Sequence, residues 1–306
     1  MKKITIVLIY CLFLTACASI GISGKHQVEY VLQLDTKDTN PKTQETTIQI
    51  ISNRLISYGL KPRYFDIKPL TNNQISIKTK EKNPSEGFKK LLTQKGYFAI
   101  LEVHPAKEEI LKNLLQLNTE SSKLSNLVFS SENSRHSAEL ASALEKDTAQ
   151  INAYLALPNV KSLFPENLQF MWGHYSYQLL EGKQQFALYP AKTKGKTFIP
   201  FDSQDILKAT TERNYVNLHT IFLNFKKDSH QKLEELTARN VENFILLTID
   251  GTVYSASKVM EKLTGGSAQI SGNFTEQEAI DMANILQSGC LPTGLELISE
   301  SLRERE

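Results

Sequence analysis

Histidine and cysteine are the residues of this chain with the most versatile chemistry, and their spacing restricts what they can do. The six histidines occupy positions 26, 104, 136, 174, 219 and 230. No two of them stand three or four positions apart, the separation that places two metal ligands on one helix face. The chain also lacks a Gly-x-Ser-x-Gly turn, a Walker loop and a Gly-x-Gly-x-x-Gly loop. We therefore expect no metal site, no cofactor and no enzymatic activity.

Cys17 stands where a lipid could be attached. Lys2 and Lys3 precede a mostly apolar run at 4–16, which ends in Leu-Thr-Ala directly before the cysteine. This order is typical of a bacterial signal peptide with a lipobox, in which the thiol is acylated and the preceding peptide is removed. The run is shorter than the roughly 18–20 apolar residues that span a bilayer. We predict a signal peptide at 1–16, lipidation of Cys17 and a tether at 17–27.

Lipidation would anchor the mature protein to a bacterial envelope membrane, with the rest of the chain facing the periplasm. Ala18 follows the cysteine, and its presence in place of Asp favours the outer membrane. Without Lys2 and Lys3, the 35 basic side chains fall to 33, which equals the 33 acidic ones. A neutral mature chain gives no indication of nucleic-acid binding.

Cys290 remains as a free thiol, because cleavage removes Cys11 and acylation uses Cys17. A lone cysteine between a glycine and a leucine is typical of a small core residue. A hydrolase is the alternative, and it would need an activating base beside Cys290 that the sequence does not assign.

The first half of the mature chain has the pattern of a β-α-β-β-α-β unit at 28–104. The segment 28–34 alternates apolar and polar residues as a half-buried strand does. Asn72-Asn73 favours a hairpin turn, and Asn83, Pro84 and Glu86 predict the start of a helix. The remaining elements are a helix at 42–58, strands at 63–67, 74–79 and 97–103, and apolar helix positions at Phe88, Leu91 and Leu92. This order predicts a ferredoxin-like base subdomain, followed by a helical insertion at 105–165 with a helix at 144–155.

The segment 166–306 predicts a second α+β unit. Strand-like runs occur at 168–172, 185–189, 216–225, 244–249 and 253–256. Capping patterns at Asp228 with Gln231 and at Thr275 with Glu278 predict two helices. The turns between the strands are assigned to Asp250, Gly251, Gly265, Gly266 and Gly272. The fold class is therefore α+β.

Three blocks of this second unit resemble the first periplasmic domain of the protein-export subunit SecD and of its fused form SecDF. The blocks are IDGTVYSA at 249–256, TGGSAQISGNFTEQEA at 264–279 and LQSGCLP at 286–292. The segment 144–172 is similar to the insertion of the fused form, and 54–102 is similar to its base subdomain. The resemblance implies a ferredoxin-like base with a SecD-type head subdomain at 166–306.

The resemblance also implies a function, namely holding translocating polypeptide on the outer side of the export channel. The partners expected from it are unfolded or translocating polypeptide and Sec translocon subunits, besides the membrane reached through the Cys17 lipid. The residues expected to contact polypeptide are Phe222, Ile270 and Phe274, since strand edges and apolar surface bind extended peptides.

Two departures from the family open an alternative. The chain ends at Glu306 without the transmembrane helices of the family, so we do not expect a proton-driven motor in it. LQLDTKDTN at 32–40 lacks the two glycines of the corresponding family block. The alternative is a structural or envelope-assembly lipoprotein that kept the fold and lost the translocation role.

Overall fold

The computed structural model describes residues 26–35, 41–80, 85–120, 122–129, 137–178, 184–195, 201–213 and 219–304. The predicted signal peptide, Cys17 and the tether up to residue 25 lie outside these ranges. Within them, no helix is both long and apolar enough to cross a membrane. The described strands form three sheets, and helices pack on each of them, so the structure is a mixed α/β fold.

The strands are β1 (His26–Leu34), β2 (Phe65–Leu70), β3 (Gln74–Thr79), β4 (Phe98–Val103), β5 (Val128–Phe129), β6 (Ala141–Leu144), β7 (Leu168–Gln178), β8 (Gln184–Lys192), β9 (Phe201–Asp202), β10 (Ile206–Arg213), β11 (His219–Phe225), β12 (Phe244–Ile249), β13 (Thr252–Lys258), β14 (Ser267–Phe274) and β15 (Leu295–Glu304). The helices are α1 (Pro41–Ser57), α2 (Glu86–Thr93), α3 (Lys107–Glu120), α4 (Glu145–Leu155), α5 (Pro158–Lys161), α6 (His230–Ala238) and α7 (Glu276–Ser288).

The base sheet has the strand order β15-β1-β3-β2, with every neighbouring pair antiparallel. Along β1, Val28, Tyr30 and Leu32 are buried beneath α1 and α2, while the residues between them are partly exposed. Asn72 and Asn73 both adopt positive φ, 58° and 57°, and form the predicted turn between β2 and β3. The predicted inward positions of α2, at Phe88, Leu91 and Leu92, are all buried.

Two details of the predicted base subdomain are wrong. Ser85 caps α2 in place of Asn83, since its hydroxyl accepts a hydrogen bond from the Phe88 amide at 3.2 Å. Asn83 and Pro84 lie outside the described residues. The strand β4, expected to complete the base at 28–104, pairs with β12 in another sheet, and β15 takes the place beside β1. The physical reason is burial: β4 is covered on both faces, whereas an edge strand such as β15 is largely exposed.

The largest sheet contains a closed ring of five strands, β4-β12-β13-β7-β8, because β8 also pairs with β4. The predicted strands at 168–172 and 185–189 are the antiparallel pair β7 and β8. Small and apolar side chains fill the ring, among them Ala99, Met171 and Leu246. At the closure, Glu102 of β4 and Lys192 of β8 are cross-strand partners, and their side chains are 2.6 Å apart.

The helical insertion packs against strands β7 and β8 of this ring. Its helices α3, α4 and α5 surround an apolar cluster that includes Leu188 of β8. The helix predicted at 144–155 is present as α4. The strand pair β5 and β6, which extends the large sheet beyond β8, was not anticipated from the pattern.

The head sheet, β10-β11-β14, lies across a shared core from the ring strands β4 and β12. Helices α6 and α7 contribute to this core, and α7 also sends Ile285 into the core of the base. The predicted capping box at Thr275 and Glu278 is present at the start of α7. Asp228 and Gln231 do not cap α6, because a 3-10 turn at Lys227–Ser229 precedes that helix.

Candidate functional site

The head sheet separates an apolar core from an exposed outer face. Side chains alternate along β11, so Ile221, Leu223 and Phe225 are buried against α6 and α7, while Phe222 lies on the opposite face and is half-buried. Phe222 is thus a large aromatic side chain that the core does not use.

A groove of about 480 Å³ crosses this outer face, and we call it the head groove. Thr210 of β10 and Gln269 of β14 stand directly opposite Phe222 on the neighbouring strands. Leu263, from the loop between β13 and β14, forms one wall and is 36% exposed. The groove is lined by Thr210, Glu212, Phe222, Leu223, Asn224, Leu263, Ser267, Ala268 and Gln269.

The loop that carries Leu263 is fixed to α6 and β11. The Leu263 amide donates to Thr237 Oγ1 at 2.9 Å, and Lys262 forms an ion pair with Glu234 at 2.6 Å. Gly266 has φ of 63°, and a Cβ at this position would lie 2.1 Å from Nε2 of His230. Only glycine therefore fits here, both for backbone conformation and for space.

The two edges of the head sheet differ in their accessibility. On β10, the side chain of Gln287 accepts a hydrogen bond from the Ala209 amide at 2.8 Å and so occupies part of that edge. Among the described residues, β14 pairs with β11 alone, and its side chains Gln269 and Ser271 are exposed. Such an edge can pair with an extended peptide through backbone hydrogen bonds.

The three residues predicted to contact polypeptide are close in the sheet but do not share a face. Ile270 neighbours Ile221 and is 0% exposed in the core, and Phe274 is 5% exposed beneath the sheet. Phe222 alone of the three lines the head groove. The reason is the two-residue period of a strand, which puts Phe222 and Ile270 on opposite sides.

The predicted turn residues also have different roles. Asp250 and Gly251 form the β12–β13 turn with φ of 51° and 79°. Gly265 precedes the left-handed Gly266 in the loop after β13. Gly272 is not in a turn: it lies within β14, where the pairing with β11 shifts register between Phe274 and Ser271.

Asp250 has a second role beyond its turn. Its carboxylate accepts hydrogen bonds from the amides of Gly96 at 3.1 Å and Tyr97 at 2.7 Å. These residues connect α2 of the base to β4 of the large sheet. In the described part of the chain, they form one of two crossings, the points at which the chain passes between the base and the head. The other crossing follows α7 at Gly289, and a hydrogen bond from Leu291 to Lys95 at 2.9 Å joins the two.

Arg54 binds both crossings from the base side. Its guanidinium donates to the carbonyl oxygens of Leu91, Gln94, Lys95 and Gly289, at distances of 2.6 to 3.2 Å. The side chain is fully buried, and burial lowers its pKa to about 10, so it remains charged at neutral pH. The sequence signal was an arginine between Ile51 and Leu55 on the inward stripe of α1, and the pattern analysis missed it.

Cys290 lies beside this second crossing. It is half-buried, and burial raises the pKa of its thiol. Its Sγ donates to the Leu291 carbonyl at 3.3 Å. In the described part of the chain, no three His, Cys, Asp or Glu side chains come together as metal ligands.

One family model matches the part of the chain that contains the head sheet. Residues 190–293 match the family model of the SecDF P1 head subdomain. SecD from Acidaminococcus fermentans is 44% identical over 78 residues, which cover 26% of this chain and 19% of that protein. SecD from Magnetococcus marinus is 32% identical over 112 residues, which cover 37% of this chain and 21% of that protein. SecDF from Thermus thermophilus is 35% identical over 77 residues, which cover 25% of this chain and 10% of that protein. The matched segments thus span about a fifth or less of these relatives.

Solved structures extend the likeness to the fold of most of the chain. SecDF in its super-membrane-facing form aligns with a TM-score of 0.56 and 17% identity, covering 90% of this chain and 30% of that one. A second structure, of SecDF described as a membrane component that enhances protein export, aligns with a TM-score of 0.53 and 19% identity, covering 89% of this chain and 98% of that one. Residues 190–293 are therefore similar to the SecDF P1 head subdomain, and most of the chain shares the fold of the solved SecDF structures.

Proposed function

We propose that this protein is a lipid-anchored, non-enzymatic module of the periplasm that assists protein export by binding translocating polypeptide in the head groove. The observation that supports this most directly is the position of Phe222, half-buried in an open groove next to the exposed edge of β14. An extended chain can pair with the backbone of β14 and place alternate side chains against Phe222 and Leu263. The match to the SecDF head subdomain and the similarity to SecD proteins support a role in protein export.

Sec translocon subunits are the second class of partner in this proposal. The lipid on Cys17 would keep the module at the periplasmic surface of an envelope membrane. Acylation supplies about 0.8 kcal/mol of membrane affinity per buried methylene, so two or three chains hold the protein firmly. The outer membrane is the favoured location because Ala18 follows the cysteine.

A photo-crosslinking amino acid at Gln269, in cells secreting a stalled export substrate, tests this proposal. Gln269 is exposed on β14 opposite Phe222. We expect crosslinks to the stalled substrate from this position. The matched control places the same crosslinker at Leu157, which is 44% exposed in the helical insertion. Equal capture from both positions, or no capture of substrate or Sec subunits from Gln269, would contradict the proposal. Normal secretion with altered envelope integrity in a deletion strain would instead select the envelope-assembly alternative.

A further inference from the structure

A second pocket lies where the base meets the head, and we call it the junction pocket. It has a volume of about 390 Å³ and opens between α2 and α7, with residues of β7, β13 and β14 behind them. This is within the size range of sites that hold small ligands or single large side chains. It is lined by Ser85, Glu86, Gly87, Lys90, Gln94, His174, Tyr254, Phe274, Gln277, Glu278, Asp281, Met282 and Ile285.

Its back wall is a stack of three rings. His174 lies parallel to Tyr254, with centroids 4.2 Å apart and planes 19° apart, and Tyr254 lies 5.9 Å from Phe274 at 13°. Burial lowers the pKa of His174 and raises the pKa of Tyr254 to about 12, so both rings are uncharged at neutral pH. Met282 and Ile285 continue this surface, which is therefore apolar and largely aromatic.

The rim carries an excess of negative charge. Glu86 of α2 and Glu278 and Asp281 of α7 line the pocket, and among its lining residues, all in the described ranges, Lys90 is the only lysine or arginine. Glu278 is held in place by the capping box, with its Oε2 2.9 Å from the Thr275 amide. Glu86 is also within 3.4 Å of Lys89.

Asp281 is the least exposed of these three acids. Its Oδ1 accepts from Gln277 at 2.8 Å, and its Oδ2 is so near α2 that a Cβ on Gly87 would lie 2.5 Å away. Burial raises the pKa of Asp281, because the carboxylate has lost part of its hydration. A cation entering the pocket would replace that lost solvation.

We propose that the junction pocket binds the side chain of an arginine presented by a polypeptide, with the guanidinium at Asp281 and Glu278 and its plane and methylenes against the aromatic wall. A guanidinium stacks on rings and donates two hydrogen bonds to one carboxylate, so arginine fits better than lysine, and lysine better than a neutral chain of equal length. The proposal rests on the proposed function only for the source of the side chain. The site itself is defined by the pocket.

The NMR signals of the methionine methyl groups offer a direct test of arginine binding in the junction pocket. The chain has four methionines, and of the three that lie in the described ranges only Met282 lines the pocket, while Met171 is buried in the ring and Met260 is 69% exposed. The full chain, labelled with ¹³C at the methionine methyls and held in detergent, is titrated with the acetylated N-methylamides of arginine, lysine and norleucine. We expect the Met282 signal to shift with arginine at the lowest concentration, then with lysine, while Met171 and Met260 stay unchanged.

Two variants test whether the Asp281 carboxylate binds the guanidinium. Asp281→Asn should weaken arginine binding by about tenfold, the loss expected for a charge-assisted hydrogen bond. Glu261→Gln removes a charge from an exposed position outside the pocket, and it should leave the affinity unchanged. An equal response to norleucine, the absence of any Met282 shift, or unchanged affinity in Asp281→Asn would each overturn the proposal. These failures would leave crosslinking at Gln269 intact, whereas loss of that crosslinking would leave arginine binding intact.

Discussion

Arg54 shows how a single side chain can join distant parts of this fold. Its guanidinium satisfies carbonyl oxygens at the end of α2 and after α7, which are 37 to 235 positions away along the chain. No carboxylate is among these hydrogen-bond acceptors, so four peptide dipoles stabilise the buried charge. Removing the side chain would take away four hydrogen bonds, of which the one to the Leu91 carbonyl oxygen is fully buried.

We expect Arg54→Met to lower the free energy of unfolding by about 3 kcal/mol or more, since it removes four hydrogen bonds from a charged donor and each such bond contributes about 1.5–3 kcal/mol. Urea unfolding followed by circular dichroism measures this loss. Arg63→Met is the matched control, because Arg63 is exposed and should change stability by no more than about 0.5 kcal/mol. Similar stabilities for the two variants would show that the Arg54 contacts contribute little.

Glu102 gives the fold a dependence on pH. Burial alone would raise the pKa of Glu102, but hydrogen bonds from Lys192 and Asn240 and the charge of Arg239 outweigh it and hold the pKa below its usual value. A carboxylate whose pKa is lower in the folded state stabilises the fold above its unfolded pKa of about 4.3, and this contribution disappears as the pH falls through the folded pKa.

Glu102→Gln should therefore destabilise the protein at pH 7 by about 3 kcal/mol, because it leaves Lys192 and Arg239 without their carboxylate. The difference from the unmodified chain should shrink as the pH falls through the lowered pKa of Glu102, where its carboxylate becomes protonated in the folded protein. Unfolding free energies measured from pH 7 to pH 3 check this. A difference that stays constant over the range would contradict the assigned role of the charge.

The loop from Met260 to Gly266 depends on one backbone conformation, the left-handed one of Gly266. Gly266→Ala should lower the free energy of unfolding by about 2 kcal/mol or more, because the new Cβ meets the His230 ring at a left-handed residue. Gly265→Ala is the control, since the nearest atom to its Cβ would be Ser267 Oγ at 4.0 Å. Thermal unfolding of the two variants distinguishes them, and equal melting temperatures would rule out the close contact.

Elements with a local signal were predicted, such as α7 with its Thr275–Glu278 capping box and the turn at Asp250-Gly251. The pairing of β15 with β1 was not, because strand partners far apart along the chain leave no local pattern. For the same reason Arg54 was missed, although its place on the inward stripe of α1 marks it as unusual.

For the candidate site, the sequence pattern selected residues of two adjacent strands but did not distinguish the faces on which they lie. Phe222 was selected together with Ile270 and Phe274, and the structure leaves only Phe222 in the head groove. Which face of a strand is covered depends on where α6 and α7 pack, and this is decided by tertiary contacts. The junction pocket has no sequence signal of its own, since His174, Tyr254 and Phe274 come from three separate strands.

At the scale of the whole molecule, helix α7 and the two chain crossings join the base and the head at one place. Helix α7 contributes to both cores, and both chain crossings lie beside Arg54 and Asp250. The head groove is formed by the head sheet, whereas the junction pocket lies between α2 of the base and α7, so the two sites occupy different surfaces of the molecule. A polypeptide held in the groove would thus meet a sheet whose position relative to the base is set by these crossings.

The most direct test of this account is the affinity of the chain for a permanently unfolded polypeptide, measured by fluorescence anisotropy. Phe222→Ser should weaken binding by about tenfold or more, as expected for a central aromatic contact. Leu157→Ser, a comparable loss of exposed apolar surface in the helical insertion, should leave binding unchanged, and both variants should unfold at the same urea concentration as the original protein. Unchanged affinity in Phe222→Ser, or an equal loss in both variants, would contradict polypeptide binding at the head groove.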